Sequence, residues 1–401
     1  PLIADAEVTM EANPGTFERA RFADYRAAGV NRLSLGIQSF SDAKLKALGR
    51  VHDRAQACAA AEAAAELFET FNLDLMYALP EQTLSELRAD LTQALAFSPP
   101  HLSCYHLTLE PNTLFARFPP PVPDEDQAAA MQDLLGEMLG DTYRNYEVSA
   151  WARPGHQAQH NLNYWMFGDY LGIGAGAHGK LSFPDRIVRQ AKYKHPRRYM
   201  ETALAGNACE IDEVVQPTDL PFEFMLNALR LTEGVDTALF QERTGLLPAV
   251  IRVKLRQAVE RGLMVDDPAR LQPTPLGRAF LNDLLEIFLP EEGGEGHRSE
   301  PQPRVSTVNW VDRPETERPC TVMVHFGACV ALIWCNAPMQ GRSAHAFSAQ
   351  LTSALARWRR TTKLTDGWGA GWGGLCVALV MMGRRCARMM GAGRGFPVAG
   401  P

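Results

Sequence analysis

Repeated βα units on a parallel sheet, followed by a helical unit with a short strand pair, are what this 401-residue sequence predicts. Three observations carry the α/β assignment. Short β-rich runs alternate with amphipathic helical runs from Ala6 to Leu109. Polar side chains recur where those runs end: Glu11 and Asn13, then Gln38, Asp74 and Glu110. In such sheets chemistry gathers at the carboxyl edge of the strands, so four successive ends delivering hydrogen-bonding groups form one functional rim. From Pro217 the texture changes to three short helical runs and a strand–turn–strand segment.

The elements follow in order. AEVTMEA reads as a strand halted by Asn13, Pro14 and Gly15, and Thr16 is placed to cap a helix that stops at Gly29. RLSLGIQ, Arg32 to Gln38, is the second strand, with Ser41 capping a short helix after it. An alanine-rich helix runs from Arg54 to about Glu69, and Asn72 to Tyr77 is the third strand, closed by Pro80. Thr83 and Glu86 have the spacing of a capping box for a helix to Ala96, and Leu102 to Leu109 is the fourth strand. A helix from Asp124 to Leu139 and a strand over NYEVSAWA lead to the run His160 to Lys180. PFEFMLNALRL, TALFQERTG and PAVIRVKLRQAVERG, then a hairpin and a closing helix, resemble a winged-helix unit.

The run HNLNYWMFGDYLGIGAGAHGK sets His160 and Asn161 before Tyr164 and Trp165 and ends on four glycines, Gly172, Gly174, Gly176 and Gly179. An imidazole can ligate iron, aromatic rings can cover a macrocycle, and glycines let backbone approach a ligand closely. The same residue types also make an ordinary hydrogen-bonded core cluster. Gly174, Gly176 and Gly179 spell GxGxxG, but the turn-like KLSFPDR that follows is no helix, which rules out a dinucleotide loop. The basic segment IVRQAKYKHPRRYM reads as a solvated face, or as guanidinium groups for a ligand's carboxylates.

A net charge of −6 gives no reason to expect nucleic acid, and the modest basic face of the third helix in the winged-helix-like unit is of a common kind that favours a packing module over DNA binding. No secretory signal or membrane span is legible, and the scattered thiols Cys58, Cys104 and Cys209 fit a reducing cytoplasm. After Pro290 apolar residues keep no period, and five of the seven tryptophans and five of the eight cysteines crowd into that stretch. The expected division is 1–140 for the sheet, 141–216 for its completion with the His160 run, 217–290 for the winged-helix-like unit, and 291–401 for an unstructured or non-native extension.

TMEANPGT, NRLSLGIQSF, LKALGRVHD, NLDLMYALPEQT, LTLEPNT, YEVSAWARPGHQAQHNLNYW and DYLGIGAGAHG resemble, in order, the HemW branch of the radical S-adenosylmethionine proteins over about residues 6–290. The resemblance implies a partial (β/α) barrel with a winged-helix-like region after it. It implies that Glu11, Gln38, Arg50 and Asp74 contact S-adenosylmethionine, and that His160, Asn161, Tyr164 and Trp165 form the HNxxYW heme-binding motif. Carboxylates suit ribose hydroxyls and the amino group, and arginine suits a carboxylate. The branch holds heme for delivery to respiratory apo-hemoproteins, with a homodimer possible in the intact family.

Two departures stand out. The family carries a CxxxCxxC site for a [4Fe–4S] cluster on its first strand and a glycine-rich segment on its second. This chain begins at Pro1, before what would be the third strand, so neither is present and no cluster or radical chemistry is expected of it. Loss of two strands is expected to leave a parallel edge exposed. Ala78 also stands where the family usually has glycine. Two other readings remain: a coproporphyrinogen III dehydrogenase, and a fragment without function.

Overall fold

The computed structural model describes residues 6–16, 19–109, 113–290, 320–326 and 329–335. Strand β1 (Val8–Ala12) passes through a single 3-10 turn (Pro14–Thr16) to α1 (Arg19–Ala28) and β2 (Arg32–Gln38). Then come α2 (Asp42–Ala47), α3 (Arg54–Leu67), β3 (Thr70–Tyr77), α4 (Leu84–Ala96) and β4 (His101–His106). β1 to β4 pair in parallel and in sequence order, as the βα alternation predicts. Capping boxes set two of the helices: Asp53 with Gln56 begins α3, and Thr83 with Glu86 begins α4. Ser41 occupies the N-cap of α2 but its hydroxyl makes no capping bond; Ser39 Oγ instead accepts from the Ser41 N–H at 3.0 Å.

Helices α5 (Leu114–Arg117) and α6 (Glu125–Leu139) follow, then β5 (Arg144–Glu147) and β6 (Ala150–Ala152). The single strand expected over NYEVSAWA is thus a hairpin, because Asn145 Nδ2 donates to the carbonyls of Glu147 and Ala150 and holds the turn between them. Helix α7 (Gln159–Trp165) carries the aromatic motif. An antiparallel meander comes next: β7 (Asp169–Ile173), β8 (His178–Ser182), β9 (Ile187–Lys192), α8 (Pro196–Leu204) and β10 (Cys209–Val214).

The last unit contains α9 (Leu220–Ala228), β11 (Val235–Asp236), α10 (Thr237–Thr244), α11 (Arg252–Glu260), β12 (Arg270–Leu271), α12 (Pro275–Ala279) and α13 (Leu281–Glu286). The expected hairpin shrinks to one bridge between Met264 and Pro273, since proline has no N–H to extend a ladder, and β12 pairs with β11 instead. Phe224, Phe240, Ile251, Leu284 and Phe288 form its core, which also takes in Phe167 and Ile187 from the sheet region. The unit is therefore packed against the segment that follows α7.

Strand alternation sorts the first four strands by chemistry. Val8, Met10, Leu33, Leu35, Ile37, Leu73, Leu75 and Leu102 join the core beneath the helices, where the small alanines of α3 allow close approach to the sheet. The opposite positions are polar: Thr9 and Glu11, Arg32 and Ser34, Asn72 and Asp74, His101 and Ser103. One face of the sheet is thus an apolar floor for helices and the other a lined polar interior.

The twelve strands run β10-β9-β8-β7-β13-β14-β1-β2-β3-β4-β6-β5, with β13 (Cys320–Phe326) and β14 (Cys329–Cys335) forming a hairpin inside the sheet. β14 pairs antiparallel with β1, from Val8 opposite Ile333 to Glu11 opposite Val330, and β13 pairs in parallel with β7. The edge of β1 that was expected to stand exposed is therefore occupied. These two strands fall within the 291–401 stretch expected to lack structure, and the rest of that stretch lies outside the described residues.

Candidate functional site

The polar interior is organised around Asp74. Ser34 Oγ donates to Asp74 Oδ2 at 3.2 Å, and Asn72 Nδ2 donates both to Asp74 Oδ1 and to Ser34 Oγ at 2.8 Å. Burial raises the Asp74 carboxyl above its ordinary range, against the pull of these hydrogen bonds and of Arg32. Burial and then the Asp74 charge push Glu11 up to about 7, with Arg32 opposing. Arg32 is 3% exposed, and its Nε has no hydrogen-bond partner among the described residues. Two carboxyls near one buried cation make a site whose charge is set by what binds beside it.

Gln38 ends β2 with φ 68, a left-handed conformation that costs a side chain ~1 kcal/mol or more. A Cβ on Gly36 would lie 2.9 Å from Gln38 Nε2 and 3.0 Å from Asn13 Oδ1, so glycine leaves room for both amides at the rim. Glu11, Gln38 and Asp74 thus share the inner face and carboxyl edge of adjacent strands. Arg50 sits exposed in the turn after α2, and His52 ties that turn to the end of β2 through a 3.0 Å contact between its Nε2 and the Ile37 carbonyl. Glu110 lies outside the described residues. Acidic and amide groups around an open glycine suit the hydroxyls and amino group of S-adenosylmethionine.

An iron–sulfur cluster fits poorly. Cys58, Cys104 and Cys209 lie on α3, β4 and β10, and no group of three metal-binding side chains forms among the described residues.

The HNxxYW motif is the whole of α7 after its first residue. Ala158 offers no side-chain cap, and the Glu7 carboxylate takes that place, accepting from Gln159 N at 3.1 Å and meeting His160 Nδ1 at 3.0 Å. An acid at a helix start also favours the helix dipole. Burial lowers the His160 pKa more than Glu7 raises it, so the ring is a neutral N–H donor. His160 is 6% exposed. The Tyr164 ring packs edge-on between His160 and Tyr170, at 6.2 Å and 4.8 Å between centroids. The Arg230 guanidinium lies 4.2 Å from the Trp165 ring centroid and 3.3 Å from Glu147. Asn161 Nδ2 reaches Tyr146 OH at 3.5 Å. The four motif residues are brought onto one short helix, with His160 buried and Asn161, Tyr164 and Trp165 half-buried.

Of the glycines that follow, Gly172 has a role in strand pairing. A Cβ on Gly172 would collide with the His178 carbonyl, so glycine permits the close β7–β8 pairing. The basic segment divides: Arg189 bonds Glu223 at 2.7 Å and Tyr170 OH at 2.9 Å and Lys192 is buried beside Cys209, while Lys194, His195, Arg197 and Arg198 form an exposed face. Beside Tyr170 a cavity of about 590 Å³ opens between β8, β9 and α9, lined by His178, Arg189, Phe222 and Leu226 among others. His178 therefore faces open space, whereas His160 does not.

Sequence reasoning missed Glu7, Arg32, His101 and Tyr146. The signal was present in the alternation of polar residues at every second position of three successive strands, Arg32/Ser34, Asn72/Asp74 and His101/Ser103.

Comparison with known proteins gives concordant results. Residues 2–94 match the model of the radical SAM superfamily and residues 215–280 that of the HemN C-terminal domain. The chain is 51% identical over 297 residues to the heme chaperone HemW of Escherichia coli K12, covering 73% of this chain and 77% of that protein. It is 47% identical to HemW of Haemophilus influenzae, covering 71% and 74%. Among solved structures it resembles coproporphyrinogen III oxidase (HemN) of Escherichia coli, a radical SAM enzyme, with a TM-score of 0.60 and 22% identity over 71% of this chain and 70% of that one.

Proposed function

The chain belongs to the HemW family of heme chaperones, and on that premise we propose that it carries heme to apo-hemoproteins of respiration in the cytoplasm. The observation that carries this reading is the 51% identity to a heme chaperone over 297 residues. The likeness to HemN, at 22% identity, speaks for the fold alone.

We assign heme holding to α7, with His160, Asn161, Tyr164 and Trp165. Glu7 occupies His160 Nδ1, which leaves Nε2 as the ring nitrogen for iron. A carboxylate on the far nitrogen of an imidazole fixes its orientation and strengthens it as a metal ligand. Because His160 is nearly enclosed, α7 must shift before Nε2 is reached. Trp165 Nε1 is buried without a hydrogen-bond partner among the described residues, a donor that an acidic ligand satisfies.

Glu11, Gln38 and Asp74, with Arg50 at the margin, would hold S-adenosylmethionine. When bound, that cofactor supplies a sulfonium centre; the residues themselves bind its hydroxyls and amino group and set the charge beside it. The described residues provide no set of ligands for a [4Fe–4S] cluster.

Titration with hemin tests the reading. A Soret shift at stoichiometric hemin, weakened in His160→Ala, and transfer of that heme to an apo-hemoprotein are the expected results. A folded protein that gives no Soret shift would overturn it, and decarboxylation of coproporphyrinogen would redirect it to the enzyme branch.

A further inference from the structure

A directed series of hydrogen bonds crosses the sheet interior from Asp74 to α7. Asn72 Nδ2 donates to Asp74 Oδ1 at 2.8 Å, while Asn72 Oδ1 lies 2.7 Å from His101 Nδ1. An amide oxygen only accepts, so His101 Nδ1 carries the proton and Nε2 is left as an acceptor. Tyr146 OH, 2.9 Å from Nε2, therefore donates to it. The Tyr146 oxygen in turn accepts from Ala158 N at 3.4 Å and Asn161 Nδ2 at 3.5 Å, the two longest and weakest steps. Every donor points toward the Asp74 carboxylate. His101 is wholly buried, and burial followed by the Arg32 charge holds it well below its ordinary pKa, so the ring is neutral and cannot reverse the series by taking a second proton.

We propose that His101 and Tyr146 are positioning residues that transmit the state of the Asp74 carboxylate to the start of α7. Occupancy of the rim then changes how firmly the helix is held, and Tyr146 is the joint at which the change is felt. The meaning of this coupling rests on the reading of α7 as the heme helix and of the rim as the S-adenosylmethionine site; its existence does not. Arg32 offers a second route, by charge alone, since its field reaches Asp74, His101 and His160. Removing the Tyr146 hydroxyl separates the two routes, because it breaks the hydrogen-bond series and leaves Arg32 in place.

Hydrogen exchange measured by mass spectrometry on the full chain decides the matter. The peptide spanning 158–166 is compared in the native sequence, Asp74→Asn, Tyr146→Phe and the double variant, with a peptide from α11 as the control for global opening. Asp74→Asn is expected to speed exchange in α7 several-fold when Tyr146 is present and to add nothing when phenylalanine replaces it. Unchanged α7 exchange in Asp74→Asn, or equal acceleration in both backgrounds, overturns the proposal. If Asp74→Asn does not fold, Ser34→Ala, which removes a donor from the same carboxylate, takes its place with the same criteria. A second arm titrates hemin with and without saturating S-adenosylmethionine. A change in heme affinity of about fivefold, abolished by Tyr146→Phe, is expected. A protein that binds no hemin defeats the proposed function, while the exchange result still decides the coupling.

Discussion

Glu7 Oε1 lies 3.0 Å from His160 Nδ1, joining the segment that leads into β1 to a helix 153 positions further along the chain. Burial would raise the Glu7 carboxyl, yet His160, Arg32 and the Gln159 amide together hold it below its usual value. The interaction is thus a carboxylate accepting from a neutral imidazole. Glu7→Gln and His160→Ala are each expected to lower stability by about 1–3 kcal/mol, the range for breaking a buried hydrogen bond to a charged group. Urea denaturation at pH 7.5 checks this, and a double-mutant cycle should show that the two losses are not additive.

The histidines predict acid sensitivity. His101 and His160 both have lowered pKa values in the fold, chiefly through burial, so between those values and ~6.5 the unfolded chain binds more protons. Stability therefore falls as pH drops below about 6.5, and Glu7 adds a further loss below the ordinary glutamate value near 4.5. Glu11 acts with the opposite sign: its carboxyl titrates at about 7 in the fold, so its contribution is lost as pH rises from 4.5 to 7. Denaturation midpoints measured from pH 5 to 8 should rise more steeply between 5 and 6.5 in Glu11→Gln than in the native sequence, because the opposing contribution is removed, and the same variant should weaken S-adenosylmethionine binding.

Ala78 sits at φ 56 and is 2% exposed. A left-handed alanine costs about 1–2 kcal/mol, whereas glycine there raises chain entropy and forfeits a buried methyl worth about 0.8 kcal/mol. Ala78→Gly is therefore expected to fall within about 1 kcal/mol of neutral. Ala61→Gly, in the buried and properly helical face of α3, should cost at least about 1 kcal/mol. Paired urea melts distinguish the two, and an equal loss at both sites would contradict the strain argument.

Lys180 is 1% exposed and donates to the Phe167 carbonyl at 3.0 Å and to Asp169 Oδ1 and Ser182 Oγ at 3.2 Å, with its ammonium 4.1 Å from the Phe167 ring centroid. Burial pulls its pKa down, while Asp169 supports the charge. Lys180→Met strands Asp169 and the Phe167 carbonyl, and a loss of about 3 kcal/mol or more is expected. Phe167 itself is held at φ 55 just after α7, so the variant should also loosen that helix, which its tryptophan fluorescence reports.

Local chemistry was the legible part of the fold. Strands β1 to β4 and the Thr83–Glu86 cap follow from residue alternation and short-range hydrogen bonding, and both are visible in a window of a few residues. The sharing of one face by Glu11, Gln38 and Asp74 was legible for the same reason. Glu7 was not, because nothing near it in sequence says that its partner is His160. The β13–β14 hairpin escaped for a related reason: its apolar run shows no period against solvent, and its place depends on which edges of the sheet stand open. The inward packing of His160 likewise depends on tertiary neighbours from three separate segments.

The seating of β14 against β1 joins, in the middle of the sheet, segments about 320 residues apart in sequence. During vectorial synthesis β1 leaves the ribosome about 320 residues before β14, so this pairing cannot form as β1 emerges. A pairing of such high contact order forms late and slowly. A holdase that keeps β1 from pairing elsewhere until β14 is made would raise the yield of native protein more than faster translation could.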